Sequence, residues 1–180
     1  MAREDVYRKA EKKVEQAYRS LATELSLRGM GLTELPKLLA QLSHLQSLNL
    51  SENQLTVLPE SIGNLTRLTR LEIWGNQISK IPESIRNLTN LTVFHLDNLT
   101  EFPPVIRYLK NLRELGIDYS QLTSIPDWIG ELNELEVIYL NQNQLTDLPP
   151  TIAELAHLKE LYLNKNPLNL ELAAAYKLVL

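Results

Sequence analysis

The stretch LQSLNLSENQLTVLPESIGNLTR, Leu45 to Arg67, is followed at once by LTRLEIWGNQISKIPESIRNLTN, Leu68 to Asn90. The two lines are 23 residues long and carry their apolar residues in the same columns. Working outward, the pattern returns as LRELGIDYSQLTSIPDWIGELNE from Leu112 and LEVIYLNQNQLTDLPPTIAELAH from Leu135. Between Asn90 and Leu112 lies LTVFHLDNLTEFPPVIRYLKN, Leu91 to Asn111, which is two residues shorter. A first line from Ala22 is degenerate at its opening positions, and a last one from Leu158 keeps LKELYLNKNPL before losing the pattern. Self-similarity at a fixed period means that one small structural unit is stacked many times. The composition agrees: 38 of the 180 residues are leucine and only two are phenylalanine, an apolar alphabet suited to a repeated core.

The consensus is LxxLxLxxNxLxxLPxxIxxLxx, and each part has a physical reading. LxLxx alternates with period two, so it is a short strand with leucines inward and the residues between them outward. The Asn that follows (Asn53, Asn76, Asn143, Asn166) sits where the chain turns, and its amide can both donate to and accept from backbone groups of adjacent turns. Pro36, Pro59, Pro82, Pro103, Pro126 and Pro149 fix φ and lack an N–H, which suits the start of the outer segment. The IxxL spacing beyond them presents two apolar residues from a short helical turn. The unit is identified as a leucine-rich repeat. The fold expected is an α/β solenoid: a right-handed horseshoe with a concave parallel β-sheet, convex short helical or 3₁₀ turns, and an N-terminal helical cap.

A stack has two raw ends. Residues 1–21 do not fit the repeat, but Val6, Ala10, Val14, Ala17 and Leu21 recur at helical spacing with charged residues on other faces. An amphipathic helix over residues 3–19 is expected to cap the first turn. Residues 22–166 form about seven repeats. Residues 167–180 read either as a C-terminal cap helix begun by Asn169 or as the linker of a truncated chain.

Composition narrows the function. A net charge of −4 argues against a nucleic-acid partner. The chain has no cysteine, so disulfides, thiolate metal sites and a cysteine nucleophile are excluded. No secretory signal and no long apolar run is present, which points to a cytoplasmic protein away from the membrane. There is no phosphate loop and no catalytic constellation, so neither an enzyme nor a cofactor is expected. His44 and His157 fall in a variable polar column and are read as surface residues. His95 and Asp97 share a strand face with Asp118 one strand on, but one histidine with carboxylates reads as a polar surface rather than a metal site. The four Asn-Leu-Thr sequons are read as a product of the repeat's own spelling, not as glycosylation sites.

The outward strand residues are the candidate partner-binding set: Arg70, Glu72, Trp74, His95, Asp97, Asp118, Tyr119, Tyr139, Asn141, Tyr162 and Asn164. One tryptophan and three tyrosines lie on a face that no core requires, and aromatics on such a surface act as interaction anchors. Glu24, Glu52, Glu72, Asp97, Glu114, Asp118 and Glu160 on the same face outnumber Arg28, Arg70 and Lys165. A basic protein or peptide segment therefore suits it better than an acidic one.

The LPxxIxxL subtype resembles intracellular leucine-rich repeats of the Ras-associated and bacterial kind. The ends ATELSLRGMGLTELP, Ala22 to Pro36, and NPLNLELAAAY, Asn166 to Tyr176, are similar to those of the repeat domain of bacterial Roco proteins. The resemblance implies a recognition and regulatory module, with GTP bound by a separate domain of which this chain has no residues. Two function classes follow. One is a protein-interaction module working through its concave face. The other is a binder of a small ligand, a carbohydrate or peptidoglycan fragment, or an enzyme, using His95, Asp97, Asp118 and Tyr139. The short repeat is expected to break the asparagine ladder, because Asn98 cannot take the ladder position and Ser120 in the next repeat offers only a hydroxyl. Residues 97–121 are therefore expected to form the weakest interface of the stack.

Overall fold

The structure is a computed structural model that describes residues 3–169. The expected C-terminal helix within 167–180 lies, past Asn169, outside the described residues. The chain opens with α1, Arg3–Arg19, with Glu4 and Asp5 in its first turn and Arg19 in its last, each suited to the helix dipole. Ala10, Val14 and Ala17 are buried, and Val6 packs partly against them. The Ala22 N–H donates to the Ala17 carbonyl at 2.9 Å and the Leu21 N–H to the Tyr18 carbonyl at 3.3 Å, a Schellman closure. Leu21 takes the left-handed position at φ 53° that this closure needs. That conformation turns Leu21 out of the apolar stripe on which the sequence reading placed it, and it is 61 % exposed.

Seven short strands follow: β1 Glu24–Ser26, β2 Ser47–Asn49, β3 Arg70–Glu72, β4 Val93–Leu96, β5 Glu114–Ile117, β6 Val137–Tyr139 and β7 Glu160–Tyr162. They form one parallel sheet in chain order. Leu48, Leu71, Phe94, Leu115 and Ile138 point inward from equivalent positions and are fully buried. Each such side chain contributes about 1.5–3 kcal/mol of burial. On the opposite side run six 3₁₀ turns, from Lys37–Gln41 to Pro150–Glu154. Each is entered by one of the six prolines, at φ between −57° and −72°. These are solenoid turns with the sheet on one face and 3₁₀ segments on the other.

Asparagines tie the turns together. Asn53 accepts the Leu32 N–H at 2.9 Å and donates to the carbonyls of Leu27 and Leu50 at 2.9 and 2.8 Å. Asn76, Asn143 and Asn166 repeat this arrangement one turn at a time. Just before each sits a residue in the left-handed region: Glu52, Gly75, Gln142 and Lys165, with Gly29 and Tyr119 equivalent to them. Asn98, at φ 60°, belongs to this series rather than to the ladder. The two missing residues therefore lie between Asn98 and Leu99, and one of them is the ladder asparagine itself. In the next turn the Ser120 hydroxyl accepts the Leu99 N–H at 3.1 Å, but donates to Asp118 of its own turn at 3.2 Å. One of the two links to the preceding turn is thus kept and the other is absent. Both phenylalanines of the chain, Phe94 and Phe102, lie in this shortened repeat and both are buried. Bulkier side chains replace volume that the deletion removes. Phe102 also meets Trp128 of the next turn edge-on, with ring centroids 5.3 Å apart.

Candidate functional site

Because the strands pair in register, outward residues align in rows across the sheet. His95, Gly116, Tyr139 and Tyr162 form one row. Tyr139 and Tyr162 stack with centroids 4.8 Å apart and planes at 5°. His95 meets Tyr139 edge-on at 5.8 Å across Gly116. The glycine makes this possible: a Cβ at position 116 would lie 2.9 Å from His95 Cδ2. With no side chain there, the imidazole leans over β5. His95 Nε2 comes within 2.8 Å of the Glu114 carboxylate. The approach is off the N–H axis, so it is a close polar contact rather than an aligned hydrogen bond.

Trp74 stands at the turn after β3. The Arg28 guanidinium lies 4.8 Å from its ring centre and forms a two-pronged pair with Glu52 at 3.1 and 2.7 Å. That pair holds the Glu52 carboxyl below the usual carboxylate range and raises Arg28. Arg70 pairs with Glu72 at 2.9 Å. Asp97 accepts the Gly75 N–H at 2.6 Å, reaching back one turn, while Asp118 accepts the Asn141 N–H at 2.6 Å, reaching forward. Burial pushes both aspartate carboxyls up, against the lowering effect of these backbone amides. Asn141 in turn accepts the Asn164 N–H at 2.9 Å. Tyr162 donates its hydroxyl to Glu160 at 2.6 Å, which raises its pKa; burial raises that of Tyr139.

Between Trp74 and Tyr139 the surface sinks into a depression of about 230 Å³. It is lined by Trp74, His95, Leu96, Asp97, Gly116, Asp118, Tyr119 and Tyr139. Six of the eleven residues singled out in the sequence meet there. Arg70, Glu72, Asn141, Tyr162 and Asn164 occupy strands and strand ends of the same sheet but do not line it. The sequence reading did not single out Gly116, although an isolated glycine inside a strand signals a close approach. It also missed Leu96, a buried inward residue that nonetheless lines the depression, and the packing of Arg28 on Trp74. Among the described residues no group of three or more His, Asp or Glu side chains converges to hold a metal ion, so His95, Asp97 and Asp118 are not arranged as a ligand set. No described helix is long and apolar enough to cross a membrane.

With the stacked strands, the asparagine ladder and the open concave face established, comparison with known proteins is direct. A family model described as a leucine-rich repeat region matches residues 25–120, and a second leucine-rich repeat model matches residues 110–168. The chain belongs to the leucine-rich repeat family. Among solved structures it is similar to a leucine-rich repeat protein of Leptospira interrogans, at 34% identity and TM-score 0.77 over 81% of this chain and 38% of that one. An internalin of Listeria monocytogenes matches at 26% identity and TM-score 0.71, over 81% of this chain and 42% of the other. The Arabidopsis receptor kinase HAESA, solved with the peptide hormone IDA and the co-receptor SERK1, matches at 33% identity and TM-score 0.74, over 86% of this chain and 28% of that one. The chain thus spans less than half the length of each of these solved chains. No curated protein matched its sequence.

Proposed function

We propose that the protein is a recognition module that binds an extended protein or peptide segment along its concave face, with Trp74, His95, Tyr139 and Tyr162 as anchors. The observation that carries this reading is the row His95–Gly116–Tyr139–Tyr162, three ring-bearing residues and a gap aligned across adjacent strands of an open sheet. Large rigid side chains held at low entropic cost are the usual source of binding energy at protein interfaces. The HAESA complex supports a peptide as one kind of ligand this fold accepts. Arg70, Glu72, Asp97, Asp118, Tyr119, Asn141 and Asn164 complete the surface in this reading, and its excess of carboxylates favours a basic segment. In this reading residues 1–21 are the cap and residues 22–166 the binding stack. The resemblance of the ends to Roco repeat domains supports a cytoplasmic regulatory setting, with any GTPase activity residing in a parent protein.

The depression at His95 is the observation that favours a second reading, a small polar ligand such as a carbohydrate fragment. Its volume falls below the roughly 300–1,000 Å³ of small-molecule sites, so the peptide reading is preferred.

Selection from a displayed peptide library tests both the face and its preference. Wild-type protein should enrich sequences rich in Lys and Arg, and the Trp74→Ala/Tyr139→Ala/Tyr162→Ala variant should retain none of them. Equal capture by the triple variant overturns the concave-face reading, and selected peptides without cationic enrichment overturn the basic preference.

A further inference from the structure

We propose that the depression between Trp74 and Tyr139 receives one cationic side chain, a lysine or arginine of the bound segment, with Asp97 and Asp118 as its counter-charges. The inference rests on the peptide-recognition reading above and supplies the anchor point that reading lacks.

The walls are the first argument. Trp74, Tyr119 and Tyr139 surround the depression, and aromatic faces attract cations through their quadrupoles. Trp74 already shows this within the molecule, since the Arg28 guanidinium lies 4.8 Å from its ring centre. The charges are the second. On this face Glu52 and Glu72 each have an arginine against them, Arg28 and Arg70 respectively, and Glu114 lies against the His95 imidazole. The contacts of Asp97 and Asp118 are instead with amides, which carry no net charge. The Gly75 and Asn141 N–H groups orient the two carboxylates without neutralising them. Half-buried and lacking a full counter-charge, both carboxyls are pushed up by desolvation, and a bound cation would relieve that cost. Among the lining residues only His95 can itself carry positive charge; it lies against Glu114 and acts on Asp118 from a distance, too weakly to offset that carboxyl's burial. Size is the third argument. A volume of about 230 Å³ over the bare backbone of Gly116 suits a single side chain better than a whole ligand.

The test uses the chain as it stands, labelled with ¹⁵N, and follows the Trp74 indole and Gly116 amide signals during titration with three probes. These are N-acetyl-arginine N-methylamide, N-acetyl-lysine N-methylamide and the neutral isostere N-acetyl-citrulline N-methylamide. The cationic probes should move both signals saturably, and the arginine probe should bind about tenfold tighter than the citrulline probe. The tighter of the arginine and lysine probes identifies the anchor. In Asp97→Asn/Asp118→Asn the amide oxygens can still accept the Gly75 and Asn141 N–H bonds, so the fold should persist while the preference for charge disappears. Citrulline binding as well as arginine, signals moving elsewhere on the molecule, or the double variant binding arginine like wild type would each overturn the proposal. If that happens while library peptides still depend on the aromatic set, the recognition reading stands and only the cation anchor falls. If capture does not depend on the aromatic set, the recognition reading falls, and the titration alone decides what the depression holds.

Discussion

The Gly75 N–H donates to the carboxylate of Asp97 at 2.6 Å, whereas equivalent amides in other turns donate to a backbone carbonyl. The Glu52 N–H bonds the Trp74 carbonyl at 2.8 Å and the Gln142 N–H bonds that of Asn164 at 2.8 Å. At the shortened turn a side chain has replaced the backbone as acceptor.

Asp97→Ala should therefore cost about 1–3 kcal/mol, the penalty for leaving an amide without its acceptor. Asp97→Asn should behave differently, because it keeps an acceptor and removes a half-buried charge. Burial raises the folded-state pKa of Asp97, so the folded chain binds that proton more tightly than the unfolded one. The group's contribution to stability accordingly falls as pH rises from the ordinary carboxylate range through the raised value. Asp97→Asn should be at least as stable as wild type at neutral pH and lose that advantage on acidification. Urea unfolding at several pH values measures this; an Asn variant as unstable as the Ala variant would refute it.

Two glycines should respond differently to alanine. At Gly63 a Cβ would lie 2.5 Å from Ser84 Cβ and 2.6 Å from its carbonyl oxygen, so backbone must move. Gly63→Ala should destabilise by roughly 1–3 kcal/mol. At Gly116 the obstacle is the His95 ring, which can swing away. Gly116→Ala should change stability by less than about 1 kcal/mol while shifting the His95 and Tyr139 ring signals. Melting curves together with aromatic NMR spectra separate the two cases.

Asn143 bridges turns through both ends of its amide, while Ser120 keeps only an acceptor toward its neighbour. Asn143→Ala should cost about 3 kcal/mol and Ser120→Ala about 1 kcal/mol. Chemical denaturation of both variants would expose the idea as wrong if the costs were equal.

Removing residues 1–20 takes Ala10, Val14 and Ala17 from the core and uncovers the first repeat. A loss of about 3 kcal/mol is expected, with a melting temperature lower by roughly 10 °C for a domain of this size. An unchanged melting temperature and a monomeric truncated chain would show that α1 is dispensable.

Hydrogen exchange should find residues 97–121 less protected than the repeats from Leu45 to Asn90. The Asn98 amide, 3.4 Å from the Tyr119 carbonyl, should be among the fastest of the ladder amides.

Period and spacing were legible because each repeat solves the same burial problem. Leucine columns mark inward positions, prolines mark entry to the 3₁₀ turns, and asparagines mark the ladder. Tyr139 beside Tyr162 followed from register alone. The depression did not. It depends on the lean of one imidazole over Gly116, and on where within Asp97–Leu99 the two residues were lost. Both are set by three-dimensional accommodation rather than by any periodic signal. The outward position of Leu21 was hidden for a similar reason: helical spacing continues through it, but the closing hydrogen bonds require a left-handed residue there.

The strands on either side of the shortened turn still pair residue for residue, Phe94 against Leu115 and Leu96 against Ile117. A change in chain length has been absorbed in the turn from Asp97 to Leu99, and the sheet has not slipped. That bend therefore acts as a length buffer. Residues can be removed there, and by the same logic replaced by loops of other lengths, while the outward rows stay aligned. For anyone reshaping this surface toward a new target, the bend after Asn98, where no ladder asparagine is left to lose, is the place to graft.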